Sequence, residues 1–123
     1  MHIQFAARRP ADTRVLALPV EKDGLERIAF GDIDAAAQRL AISAARAARF
    51  DGEAGAIVEA FVDFGDAVVQ LLLVGVGPGG EAEYERAGGA LTARLLTSGV
   101  TSLTVDFTSL GGAPAAGAVA RFA

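Results

Sequence analysis

Gly75, Gly77 and Gly80 form the pattern Gly-x-Gly-x-x-Gly, set between an apolar strand-like run and a helix-like run. A loop of this kind can bring backbone N–H groups against a pyrophosphate resting on a helix N-terminus. Asp106 lies near the end of the following strand-like segment, in keeping with dinucleotide binding. The neighbouring residues oppose that chemistry. Glu81, Glu83 and Glu85 load the first turns of the helix with negative charge. Each opposes a phosphate by an amount comparable to the dipole's favourable contribution of about 0.3–1 kcal/mol. Pro78 removes a backbone donor from the loop. The glycines therefore read as a close strand-to-helix turn, with nucleotide binding through Gly75, Gly77 and Gly80 as the alternative.

Other residues with chemical potential do not assemble into a site. Glu59 with Asp63, or Glu81 with Glu85, supply paired carboxylates, but acid–base work needs a group tuned in a dry site. These pairs read as solvated faces. His2 stands alone beside the N-terminus and reads as an exposed strand residue. Ser43, Ser98, Ser102 and Ser109 have no histidine placed to activate them. Neither catalytic nor metal-binding residues are assigned, and no cofactor is expected in this chain.

Composition narrows the classes. The 123 residues suffice for one domain with a real core. An apolar fraction of 52% and a charged fraction of 21% are those of a globular protein. With no cysteine, disulfides and thiol chemistry are excluded. A formal charge of −4 argues against a nucleic-acid partner. No stretch resembles a signal peptide or a membrane span, which leads to the expectation of a cytoplasmic protein without a membrane partner. Arg8, Arg9 and Arg14 form a basic patch read as a solvated loop, and Arg39, Arg46 and Arg49 one solvent-facing side of a helix.

The elements that would position these residues follow from periodicity. A short strand around Ile3 and Phe5 precedes a second, Arg14 to Leu18, ending near Pro19. Residues 21–31 connect, with Leu25, Ile28 and Phe30 as anchors into the core. Asp32 and Asp34 offer N-caps for a helix from Ala35 through Phe50, whose apolar positions include Leu40, Ile42, Ala44 and Ala48. Ala56 to Phe64 is a strand with Glu59 and Asp63 on the same face as Ile57 and Phe61, partly open to water. Across the Gly65-Asp66 turn it forms an antiparallel hairpin with Val68 to Val74, a run apolar enough to be covered on both faces. A helix from Glu81 to Thr97 carries the stripe Ala87, Leu91, Leu95, and Gly88-Gly89 inside it calls for a close packing contact. Ser98-Gly99 closes this helix. Val100 to Phe107 completes a strand–helix–strand unit, implying a parallel pair and a right-handed crossover. Pro114 opens a further helical segment that reads as cut short, so we divide the chain into a domain over 1–112 and the start of a linker helix over 113–123.

In this order the segments resemble the N-terminal domain of the leucyl aminopeptidase (cytosol aminopeptidase) family of two-metal peptidases. The resemblance rests on Leu16-Ala17-Leu18-Pro19, Phe50-Asp51-Gly52-Glu53-Ala54-Gly55 and Leu71-Leu72-Leu73-Val74-Gly75-Val76-Gly77. It continues through Glu85-Arg86-Ala87-Gly88-Gly89-Ala90 and Leu103-Thr104-Val105-Asp106-Phe107. It implies an α/β, macro-domain-like fold, a mixed β-sheet flanked by helices. It further implies a larger C-terminal catalytic domain in the same protein, where a lysine, aspartates and a glutamate hold two zinc or manganese ions. Nothing in this chain matches that ligand signature, so no family site residue carries over. The implied parent removes N-terminal residues such as leucine from peptides, usually as a hexamer, with this domain serving assembly or substrate access. Similarity to macro domains also implies the alternative of an ADP-ribose-binding module. The chain's lack of any asparagine departs from the loop such modules usually show.

Overall fold

The computed structural model describes residues 2–6, 15–25, 35–64, 67–96 and 102–106. Strands β1 (His2–Ala6) and β2 (Val15–Glu21) precede helix α1 (Ala35–Ala47). Strands β3 (Ile57–Phe64) and β4 (Ala67–Gly77), helix α2 (Glu81–Leu96) and strand β5 (Ser102–Asp106) follow. The order of elements is the one the periodicity predicts. The strands form one mixed sheet in the order β1-β5-β2-β4-β3. Only β3 runs against its neighbour, pairing Ile57 with Val74 through to Phe64 with Ala67. The other contacts are parallel.

Alternation along β4 divides the core. Val69, Leu71 and Leu73 face one side with Leu16, Leu18 and Val20 of β2, beneath Ala37, Ala41 and Ala45 of α1. Leu72, Val74 and Val76 face the other with Ala17 and Val105, beneath Tyr84, Ala87, Leu91 and Leu95 of α2. The chain is thus an α/β domain whose central strands are covered by helices on both faces, as the apolar run predicts.

Local expectations need correction in several places. The first helix ends at Ala47 rather than Phe50. Arg49 adopts a left-handed φ of 58°, and its N–H donates to the Arg46 carbonyl while that of Phe50 donates to Ala45. These bonds form a Schellman cap, a termination usually assigned to glycine. Within this helix Leu40 is 51% exposed, and the alanines pack the core. Strand β2 does not stop at Pro19 but continues to Glu21. The proline is tolerated because the described pairing with β5 involves only Leu16 and Ala17, so Pro19 lies beyond it. The unit β4–α2–β5 does not bring its two strands side by side, because β2 lies between them. Several expectations fall outside the described residues: the patch at Arg8, Arg9 and Arg14, the anchors Ile28 and Phe30, the caps at Asp32 and Asp34, and the Gly65-Asp66 turn. So do Ser98-Gly99, Phe107, Ser109, the boundary at 112 and the segment after Pro114.

The glycine pair in α2 also divides. Gly88 is buried, whereas Gly89 is exposed and a Cβ placed there would meet nothing within 4 Å. The close contact expected at the pair therefore does not hold for Gly89, whose cost to the helix is uncompensated within this domain. Gly89→Ala should raise stability by up to about 1 kcal/mol, the helix-propensity difference, read as a higher thermal midpoint.

Candidate functional site: the glycine loop and its strap

The Gly75–Gly80 loop leaves β4 at the end of the sheet where β2 also ends. A second segment, 50–56, crosses this end and ties the two strands together. Its first anchor is Asp51. The Asp51 carbonyl accepts from the N–H of Asp23 at 2.6 Å, and its carboxylate accepts from the N–H of Glu53 at 3.1 Å. The same carboxylate pairs with Lys22 Nζ at 3.2 Å, between half-exposed side chains. The Lys22 hydrogen bond, with the Glu53 N–H second, holds the Asp51 carboxyl below its ordinary range, and Asp51 in turn raises Lys22. Both shifts favour the charged pair over the intervening pH range.

Two glycines let the strap lie this close. Gly52 has φ 89°, and a Cβ there would collide with the Glu21 carbonyl. At Gly75 a Cβ would be driven into the Glu53 carbonyl and would stand 2.7 Å from the Gly52 carbonyl carbon. Gly75 donates to Ala56 at 2.8 Å and accepts from Gly55 at 3.0 Å, while Gly77 donates to Gly52 at 2.8 Å. Lys22 donates to the Gly77 carbonyl at 2.9 Å, completing the tie from β2 to β4.

These bonds decide what the glycine pattern can do. A phosphate cradle needs N–H groups aimed outward and unspent. The N–H groups of Gly75, Gly77 and Gly79 all donate inside the protein, the last to Val76 at 3.0 Å, and Pro78 has none. At the start of α2, the Gly80 carbonyl accepts from Tyr84 at 3.0 Å, which makes Gly80 the N-cap. The Glu83 carboxylate lies against Gly80, where the third-position acid of a capping box sits. Glu21 adds a second carboxylate, with Oε2 3.4 Å from where a Gly79 Cβ would be. The helix end that would receive a phosphate thus faces the chain's own anions. This geometry opposes nucleotide binding through Gly75, Gly77 and Gly80.

Other candidates remain apart. Glu59 pairs with Arg94 of α2 at 3.2 Å, and Asp63 lies further along the exposed face of β3. Glu81 and Glu85 are exposed on α2, His2 belongs to β1, and Ser43 is exposed on α1. Asp106 and Ser102 bound β5. Among the described residues, no group of three or more His, Asp or Glu side chains is gathered as a metal site would require. Tyr84, which sequence reasoning passed over, is buried beneath the loop. Burial first, and the Glu21 charge second, push its hydroxyl up to about 12.

Known proteins place this architecture. A family model described as the cytosol aminopeptidase family, N-terminal domain, matches residues 17–123. The chain belongs to that family, as its N-terminal domain. No curated protein matches it. Nine chains of solved structures do, among them a variant of tomato leucine aminopeptidase at 18% identity with a TM-score of 0.57. That likeness covers 91% of this chain and 24% of the tomato chain, so this chain spans about a quarter of that relative's length. At such identity it shows the fold alone.

The strap makes Gly75 intolerant of any side chain. Gly75→Ala should lower unfolding free energy by about 3 kcal/mol or more, through overpacking against backbone that cannot yield, read from urea denaturation. Tyr84 is the chain's single tyrosine, so phenolate absorbance reports it alone. Its titration in the folded protein should centre near 12 rather than at the ordinary 10.0. Because the folded value is the raised one, the neutral tyrosine's contribution is complete below the ordinary value and is lost as pH climbs through the folded one. Tyr84→Phe should remove this part of the alkaline stability loss, and a midpoint at the ordinary value would contradict the burial argument.

Proposed function

We propose that the chain serves as the non-catalytic N-terminal domain of a leucyl aminopeptidase. The family match over residues 17–123 is the observation that carries this reading. The short share of the tomato enzyme that the likeness covers supports it, since a protein of that length has room for a separate catalytic domain. In this reading the parent removes N-terminal residues such as leucine from peptides. Its C-terminal domain holds two zinc or manganese ions, and the protein works in the cytoplasm as a hexamer. No helix among the described residues is long and apolar enough to cross a membrane, which is compatible with that setting.

The described residues do not fit the metal ions, for want of a clustered ligand set, and no catalytic step runs through them. What this domain contributes is support: a rigid α/β body of macro-domain type over 1–112, joined through a linker helix beginning at 113–123, that serves assembly or substrate access. The inward-turned glycine loop favours this role over ADP-ribose binding, because the N–H groups of Gly75, Gly77 and Gly79 are already used.

Leucine p-nitroanilide distinguishes the two locations of chemistry. The purified chain should release no p-nitroaniline with manganese or zinc present, whereas the same chain continued into a catalytic domain should. Metal-dependent turnover by the chain alone would overturn the proposal.

A further inference from the structure

Strands β2 and β4 are parallel neighbours, yet the helix that follows β2 packs on one face of the sheet and the helix that follows β4 on the other. In an open α/β sheet such a divergence leaves a crevice beyond the C-terminal ends of the two strands, where ligands commonly enter. Here the 50–56 strap fills that place. Its carbonyls at Gly52 and Ala56 accept the N–H groups of Gly77 and Gly75, each at 2.8 Å. The crevice is occupied by the chain's own backbone.

The strap is held differently at its two ends. Toward Gly55 the hold is main-chain pairing with Gly75, with the aliphatic stem of Arg86 lying alongside. At the Asp51 end it is charged. The N–H of Asp23 donates to the Asp51 carbonyl at 2.6 Å, so two aspartates are joined through the main chain. Lys22 Nζ stands 3.2 Å from the Asp51 carboxylate, and the charges of Asp51, Asp23 and Glu53 all act on it. Lys22 is the only lysine in the sequence. Three carboxylates therefore share one ammonium group, and without its charge they repel one another across the Asp23–Asp51 bond.

We infer that the strap is a clasp over the β2–β4 crevice, that the charge on Lys22 keeps it shut, and that neutralising Lys22 releases the Asp51 end while the sheet stays folded. Acylation of this half-exposed side chain is the modification that does so. The deprotonated Nζ bonds to the acyl carbon of a thioester or acyl phosphate, the thiolate or phosphate leaves, and the nitrogen's surplus proton passes to water. The resulting amide carries no charge. The inference stands on the strap's own geometry, and its failure would leave the family reading intact.

Amide hydrogen exchange, followed residue by residue by NMR, tests it on the chain itself. Lys22→Gln should speed exchange at Asp23 and Gly77, whose N–H groups bond to the strap, by roughly two- to fivefold, the range an exposed ion pair supports. Amides within β4, which is paired along both edges, should keep their rates. Lys22→Arg retains the charge and should exchange as the native chain does. Chemical acetylation of the native chain should reproduce Lys22→Gln, whereas reductive methylation, which keeps the charge, should not. Acetylated Lys22→Arg should match the untreated protein, which assigns the effect to Lys22 rather than to the terminal amine. Unchanged exchange at Asp23 and Gly77 in Lys22→Gln overturns the inference. So does acceleration shared equally by β4, because the clasp then does not open by itself, or an equal effect of acetylation and methylation, because charge is then not what holds it.

Discussion

Strand β4 is apolar on both of its faces, and the remainder of the domain answers that requirement. A strand with Val69, Leu71 and Leu73 on one side and Leu72, Val74 and Val76 on the other cannot lie at a solvent-facing layer. Each side chain withheld from water contributes roughly 1.5–3 kcal/mol, so leaving either face open would forfeit several such contributions. Helix α1 closes one face with alanines, which allow close approach, and α2 closes the other with Tyr84, Leu91 and Leu95. Strands β2 and β3 occupy the two edges of β4, so its backbone is paired as fully as its side chains are covered.

Fixing β4 in this way leaves its outgoing end to be managed. The 50–56 strap does so by passing within backbone distance of Gly75 while bonding to the turn after β2. The glycines of the Gly-x-Gly-x-x-Gly pattern are consumed in this crossing, and Gly80 caps α2. A pattern that elsewhere leaves N–H groups facing outward is here turned inward by a neighbouring loop. The stretches that carry the family resemblance, Phe50 to Gly55 and Leu71 to Gly77, are the two partners in this crossing. Their chemistry is that of close packing between main chains.

Much of this was legible in the residues. Alternation, apolar runs and, for α1, alanine content pointed to the seven elements of the described residues, because composition, period and length are local properties. The glutamates after Gly80 oppose a phosphate site in the sequence as in the fold, since charge near a helix end acts over the first turns. What escaped was long-range. That β2 would separate β4 from β5 depends on competition among strands for neighbours, which no single segment encodes. The end of α1 escaped because a Schellman cap was formed with arginine rather than glycine at the left-handed position. The strap escaped because its evidence is split between Asp23-Gly24 and Asp51-Gly52, turn signals that become partners only after folding. Leu40 shows a different limit: a leucine's preference for helix does not say which way it faces, and here alanines already fill the contact.

The strand order also sets a timetable. Among the described strands β1 leaves the ribosome before the others, yet its described partner is β5, the last of them, in register from His2 with Ser102 to Ala6 with Asp106. The β2–α1–β3–β4 portion can close on itself as soon as Gly77 has emerged, because its pairings are internal. The opening residues must wait without a partner until almost the whole domain has been made. Their delay is the loop-closure cost of a parallel pairing between the two ends of the domain. For nascent chains this makes β1 the last of the described strands before β5 to be sheltered from chaperones and proteases, although it precedes them all in the chain.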